Sequence, residues 1–114
     1  MHTTPATRVQ AIQDSDFEAL LNNNSLVIVD FMVPWCGPCR KVARFMDKLS
    51  ETFAGQITIV KMDTEQNREI PQKFDVTRLP EVLLFKNGEL VERVLGAKPE
   101  TTFEEVITKH LQSS

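Results

Sequence analysis

Residues 25–33, "SLVIVDFMV", constrain the fold more than any other part of the chain. The run is apolar without alternation and rich in β-branched residues. That pattern suits a central strand buried on both faces. Such a strand needs cover above and below, which helices commonly supply. One charge sits inside the run, Asp30, where a carboxylate is costly. Six residues later come Cys36 and Cys39, in "DFMVPWCGPCRK".

The flanking segments supply the cover. "TRVQAI" at 7–12 reads as a short first strand. "DSDFEALLNN" reads as a helix capped by Asp14 or Ser15, with Phe17, Leu20 and Leu21 on one face, stopped by the asparagines at 22–24. A helix is expected from about Gly37 to about Phe53. Pro38 lies in its first turn, where no amide donor is needed, and Val42, Phe45, Met46 and Leu49 form its apolar stripe. "GQITIVKMD" at 55–63 is the next strand, and this strand–helix–strand order implies a right-handed parallel crossover. A short helix follows around "NREIPQKFD", which Pro71 either interrupts or starts. Residues 81–96 read as a hairpin turning at Asn87-Gly88. "KPETTFEEVITKHL" closes the chain as a helix with Phe103, Val106, Ile107 and Leu111 inward. The order is β-α-β-α-β-α-β-β-α, an α/β fold with a mixed five-stranded sheet and helices on both faces.

The chain has 114 residues and two cysteines. That length suits one domain and can bury a core without disulfide staples. A disulfide between Cys36 and Cys39 closes a tiny loop, which restrains the unfolded chain little. The pair is therefore chemical rather than structural. Zinc needs three or four ligands. The other usual donors, His2 and His110, lie near opposite ends of the chain, so a redox pair is the better reading. Two buried, inert thiols do not fit a Gly-Pro spacer at a strand-to-helix junction.

That junction gives a reason for reactivity. Cys36 falls at the helix start, where unpaired amides and the dipole favour an anion, so its thiolate should be stabilised. Cys39 lies one turn inside the helix and should be more buried and keep its proton longer. Cys36 is then the attacking thiol and Cys39 the resolving one. Asp30, at the end of the buried strand, is expected to have a raised pKa and to serve as general base for Cys39. Lys61 on the next strand either pairs with Asp30 or snorkels to the surface.

Hydrophobic content of 41% and charged content of 25% are ordinary for a soluble protein. The net charge of -3 gives no reason to expect nucleic acid, and no basic block suggests an anionic membrane. No apolar run has the length of a membrane span. The N-terminal "MHTTPATRVQ" is polar and has no apolar signal-peptide core, so a cytoplasmic location is expected.

"DFMVPWCGPC", followed by "VKMD", "VTRLPEVLLFKNGEL" and "GA", resembles the thioredoxin family from about residue 8 to 111. The resemblance implies one thioredoxin domain over 1–114, with 1–7 a flexible extension. It implies a protein-disulfide reductase working by dithiol–disulfide exchange through Cys36 and Cys39, with Asp30 and Lys61 as proton-transfer partners. Trp35, Gly37 and Pro38 would flank the nucleophile. Pro80 would match the family's cis-proline, and Leu79, Pro80 and Gly96 would form the apolar groove that docks the substrate chain. No bound cofactor is implied. Electrons would come from a thioredoxin reductase, NADPH/FAD-dependent or ferredoxin-linked, and the chain would act as a monomer on disulfide-containing proteins.

Four positions depart from the family pattern. Met32 stands where a second Trp is usual, and Arg44 where the central helix normally carries a proline. Arg78 replaces a small residue two before the cis-proline, and Glu81 replaces Thr just after it. These positions are expected to rim the site and to set partner choice. Arg40, Lys41, Arg44 and Arg78 either steer acidic partners or simply solvate the surface. The other readings are a binding or assembly subunit, and an oxidant or isomerase. The Gly-Pro spacer disfavours the last, since in the family that dipeptide accompanies reductants.

Overall fold

The computed structural model describes residues 9–112. The extension expected at 1–7, the start of the first expected strand and His2 lie outside these residues. The described residues form five strands and four helices: β1 (Gln10–Ala11), α1 (Phe17–Asn23), β2 (Leu26–Met32), α2 (Gly37–Thr52), β3 (Thr58–Asp63), α3 (Glu69–Lys73), β4 (Glu81–Lys86), β5 (Glu89–Leu95) and α4 (Glu100–Gln112). A 3₁₀ turn at Asp14–Asp16 leads into α1. The sheet order is β1-β3-β2-β4-β5. β3 runs parallel to both β1 and β2, while β4 is antiparallel to β2 and to β5.

β2 is central because both its faces are apolar. Leu26 and Ile28 belong to a cluster with Val42, Met46 and Leu49 of α2 and Phe103 and Ile107 of α4. Val27, Val29 and Phe31 belong to a second cluster with Phe17 of α1 and Ile70 of α3. Strand alternation explains the division. On the second face the rings of Phe17, Phe74 and Phe85 meet with centroids 5.2–5.6 Å apart. Aromatic pairs of this tilted kind hold more than their area alone.

The helix boundaries follow local chemistry. α2 begins with Cys36 as its cap, and Pro38 sits in its first turn. Asn87 and Gly88 turn the β4–β5 hairpin with φ of 52° and 85°, the left-handed pair that a two-residue turn of this hand requires. Among the described residues no helix is long and apolar enough to cross a membrane.

Several expectations need correction. The first strand is only two residues long, and β3 starts at Thr58 rather than near 55. Pro71 sits inside the first turn of α3, where its missing N–H costs nothing. Neither Asp14 nor Ser15 caps the first helix. Gln13 caps the turn, with its N–H donating to Asp16 Oδ2 at 2.9 Å. Asp14 instead accepts from the amides of Arg68 and Glu69 at 3.1 Å each and of Ile70 at 2.9 Å. It thus caps α3, over fifty residues away, where a carboxylate suits the exposed amides and the dipole.

Candidate active site

The site forms where β2 ends and α2 begins. The Cys36 N–H donates to the Val33 carbonyl at 3.3 Å, which folds the "PW" loop back on the strand. Cys36 has extended backbone angles, and its Sγ accepts the Cys39 N–H at 3.2 Å. The sulfur thus occupies the place of a capping oxygen, facing the unpaired amides of a 16-residue helix. Arg40 donates its N–H to the Cys36 carbonyl at 3.1 Å, and its Nη1 reaches the Pro34 carbonyl at 3.3 Å. Both cysteines are free thiols, Cys36 half-buried and Cys39 buried.

Cys39 is 1% exposed, and burial pushes its thiol up to about 12. Its contact with Cys36 adds to the rise, and the charges of Cys36 and Asp30 contribute further. Asp30 shares a sheet face with Leu26 and Ile28, so its carboxyl lies on the α2 side, among apolar side chains. It is 1% exposed, and neither of its oxygens has a hydrogen-bond partner. Desolvation raises its pKa from 3.8 to about 7, opposed by Lys61 and reinforced by Asp47. Lys61 stands beside Asp30 in the parallel β2–β3 register and is half-buried. No direct ion pair joins them, so Lys61 acts on the carboxyl through space.

A second segment carries the remaining residues. The Leu79–Pro80 peptide is cis, Pro80 is buried and Leu79 half-buried. The Gly96 N–H donates to the Pro80 carbonyl at 2.8 Å, with Gly96 at φ 92°, a conformation glycine adopts without strain. Trp35 is 69% exposed, and Gly37 and Pro38 are also exposed.

The thioredoxin family model matches residues 8–109. The chain belongs to the thioredoxin family. A Haemophilus influenzae thioredoxin is 40% identical over 106 residues, covering 92% of this chain and 99% of the relative. A chloroplastic M-type thioredoxin of Pisum sativum is 38% identical over 104 residues, covering 90% of this chain and 60% of the relative. A solved structure of the Malassezia sympodialis thioredoxin superposes with a TM-score of 0.84 at 31% identity, covering 97% of each chain. As a thioredoxin the protein is a thiol–disulfide oxidoreductase, a protein-disulfide reductase whose chemistry needs no bound cofactor.

The four departures separate in space. Arg44 and Arg78 are exposed and Met32 is half-buried. Glu81 does not rim the site: it is 4% exposed and pairs with Arg93. Strand alternation accounts for this, since Glu81 shares the α1/α3 face with Leu83 and Phe85. Sequence reading missed this pair, and it missed Asp14 as the cap of α3. The alternation of β4 was a usable signal for the first, but nothing local marked the second.

Proposed function

We propose that Cys36 is the attacking thiol of this reductase and Cys39 the resolving one. The observation that carries the reading is the asymmetry at one helix start: Cys36 Sγ caps α2 while Cys39 lies buried beside Asp30. The Cys36 thiolate attacks one sulfur of a substrate disulfide. A Cys36–substrate disulfide forms, and the other substrate sulfur leaves as a thiolate. Asp30 then takes the Cys39 proton, directly or through one water, and the Cys39 thiolate attacks Cys36 Sγ. The second substrate sulfur leaves, and a Cys36–Cys39 disulfide remains. Two electrons have passed to the substrate, whose two thiolates take one proton from Asp30 and one from solvent.

The order of events follows from the same contacts. Burial raises the Cys39 pKa most, but the contact with Cys36 and the charge on Cys36 also raise it. Both of these contributions vanish when Cys36 enters the mixed disulfide. Cys39 becomes easier to deprotonate at the moment its attack is needed. Lys61 tunes the Asp30 proton from the neighbouring strand.

Leu79, Pro80 and Gly96, with Trp35, Gly37 and Pro38, dock the substrate chain, Leu79 pairing its backbone to an extended segment. The half-burial of Leu79 and the exposure of Trp35 favour this reading. The chain works as a single domain over 1–114 and as a monomer. Its electrons come from a thioredoxin reductase, which makes it an electron-transport protein. The cytoplasm is the compartment we favour, although the pea relative is chloroplastic. An insulin-reduction assay driven by dithiothreitol tests the proposal: turnover should be well above background and return to background in Cys36→Ser. Equal turnover in that variant overturns the assignment.

A second reading narrows the clientele to acidic partners. Arg40, Lys41, Arg44 and Arg78 are all exposed, and among the described residues none is ion-paired. The first turn of α2 has no acid to offset them. Rates on an acidic substrate should fall with ionic strength more steeply than rates on a neutral one. Equal salt dependence refutes the steering.

A further inference from the structure

A charge pair between buried Glu81 and exposed Arg93 adjoins the Leu79–Pro80 loop and takes no part in the exchange chemistry. Glu81 directly follows Pro80 and opens β4. A carboxylate this buried needs a partner, and Arg93 supplies it. Arg93 Nη1 donates to Glu81 Oε2 at 2.8 Å. Its Nη2 donates to the Phe74 carbonyl at 2.7 Å. The register explains the meeting: Glu81 faces Leu95 and Leu83 faces Arg93, so Glu81 and Arg93 are diagonal neighbours on one sheet face.

Phe74 ends α3 and Glu81 begins β4, so only residues 75–80 lie between them. One guanidinium therefore holds both ends of the loop that carries Arg78, Leu79 and Pro80. Arginine suits the task because its planar fork binds two acceptors in fixed geometry, which a lysine ammonium does not. Two more bonds brace the loop: Val76 N–H to the Pro71 carbonyl and Gly96 N–H to the Pro80 carbonyl, each 2.8 Å. Asp75 enters the loop at φ 57°, a left-handed conformation that costs a non-glycine residue and persists only where its surroundings hold it.

We propose that Glu81 and Arg93 are positioning residues that fix the Leu79–Pro80 edge and thereby set the affinity for polypeptide substrates. The proposal rests on the reading that this edge docks the substrate chain. A small symmetrical disulfide reaches Cys36 without that edge and should be indifferent to the clamp.

The test compares the wild type with a Glu81→Met/Arg93→Met double variant, which removes the clamp without leaving an unpaired buried charge. Two readouts are taken: amide hydrogen exchange of residues 75–80, and steady-state kinetics on insulin and on a small aromatic disulfide. The expected result is faster exchange in the loop and a KM for insulin raised roughly three- to tenfold, with kcat and the small-disulfide rate unchanged. Arg93→Lys should show the same pattern more weakly, since one ammonium cannot serve both acceptors. Glu81→Gln keeps an acceptor and should restore near-normal KM. Unchanged exchange together with unchanged KM overturns the clamp and leaves the docking reading intact. Faster exchange with unchanged KM overturns the proposal through the docking reading itself. Unchanged exchange with a raised KM, or equal losses on both substrates, also contradicts a positioning role.

Discussion

Asp30 and Lys61 stand side by side on neighbouring parallel strands with no hydrogen bond between their side chains. The carboxyl is left without a hydrogen-bond partner in the core, and desolvation outweighs the attraction of the lysine. An acid kept in that state costs stability when it ionises, and a protein gains from it only through chemistry.

Stability should therefore depend on pH through Asp30. Its pKa is raised from 3.8 to about 7, so between those values the folded chain holds a proton that the unfolded chain has lost. Stability then falls as pH rises through that window. The full gap is worth about 4 kcal/mol above pH 7. Asp30→Asn should stabilise the protein by a few kcal/mol near pH 8, and hardly at all near pH 4. It should also slow the resolving step. Urea unfolding at the two pH values measures the first effect; a stability change that ignores pH contradicts the burial argument.

The two cysteines should trap different species. With Cys39→Ser, the first attack proceeds and the mixed disulfide persists, so intact mass spectrometry should find substrate attached at Cys36. Cys36→Ser leaves only the buried thiol and should capture almost nothing. Equal trapping by the two variants would sink the division of roles.

Asp14→Ala removes the acceptor of three α3 amides. Loss of such a cap costs about 1–2 kcal/mol. Chemical denaturation should show that loss, while insulin turnover stays near normal, because Asp14 lies outside the proposed redox site.

Glu92 on β5 ties α4 to the sheet. Its Oε2 meets His110 Nε2 at 2.8 Å and Lys109 Nζ at 3.1 Å. The His110 contact lowers its pKa below 4.5, against burial and with help from Lys109. A depressed acid contributes stability above its unfolded pKa and loses it as pH falls through the folded one. Glu92→Gln should thus cost up to about 1 kcal/mol near pH 6 and nothing near pH 2, since the group is partly exposed. Thermal melts across that range measure the difference.

Local chemistry made much of the fold legible. The unalternating run at 25–33 announced a strand covered on both faces, and Asn87-Gly88 announced its hairpin. The bounds of α2 follow from a cysteine cap, a first-turn proline and an apolar stripe. Contacts across the fold were not legible. Asp14 looks like the cap of its own helix because capping is normally local, yet its partners lie 54 to 56 residues away. Glu81 looked like a rim residue because it adjoins Pro80 in sequence. Its burial follows from strand alternation, and its partner from a β4–β5 register that also shifts between Leu84 and Phe85. Such a shift has no reliable sequence mark.

Equilibration of the Cys36–Cys39 couple with glutathione measures its reduction potential, which separates a reductant from an oxidant. A reductant of this family should poise at about −270 mV. A value near about −120 mV, that of a strong dithiol oxidant, would contradict the account.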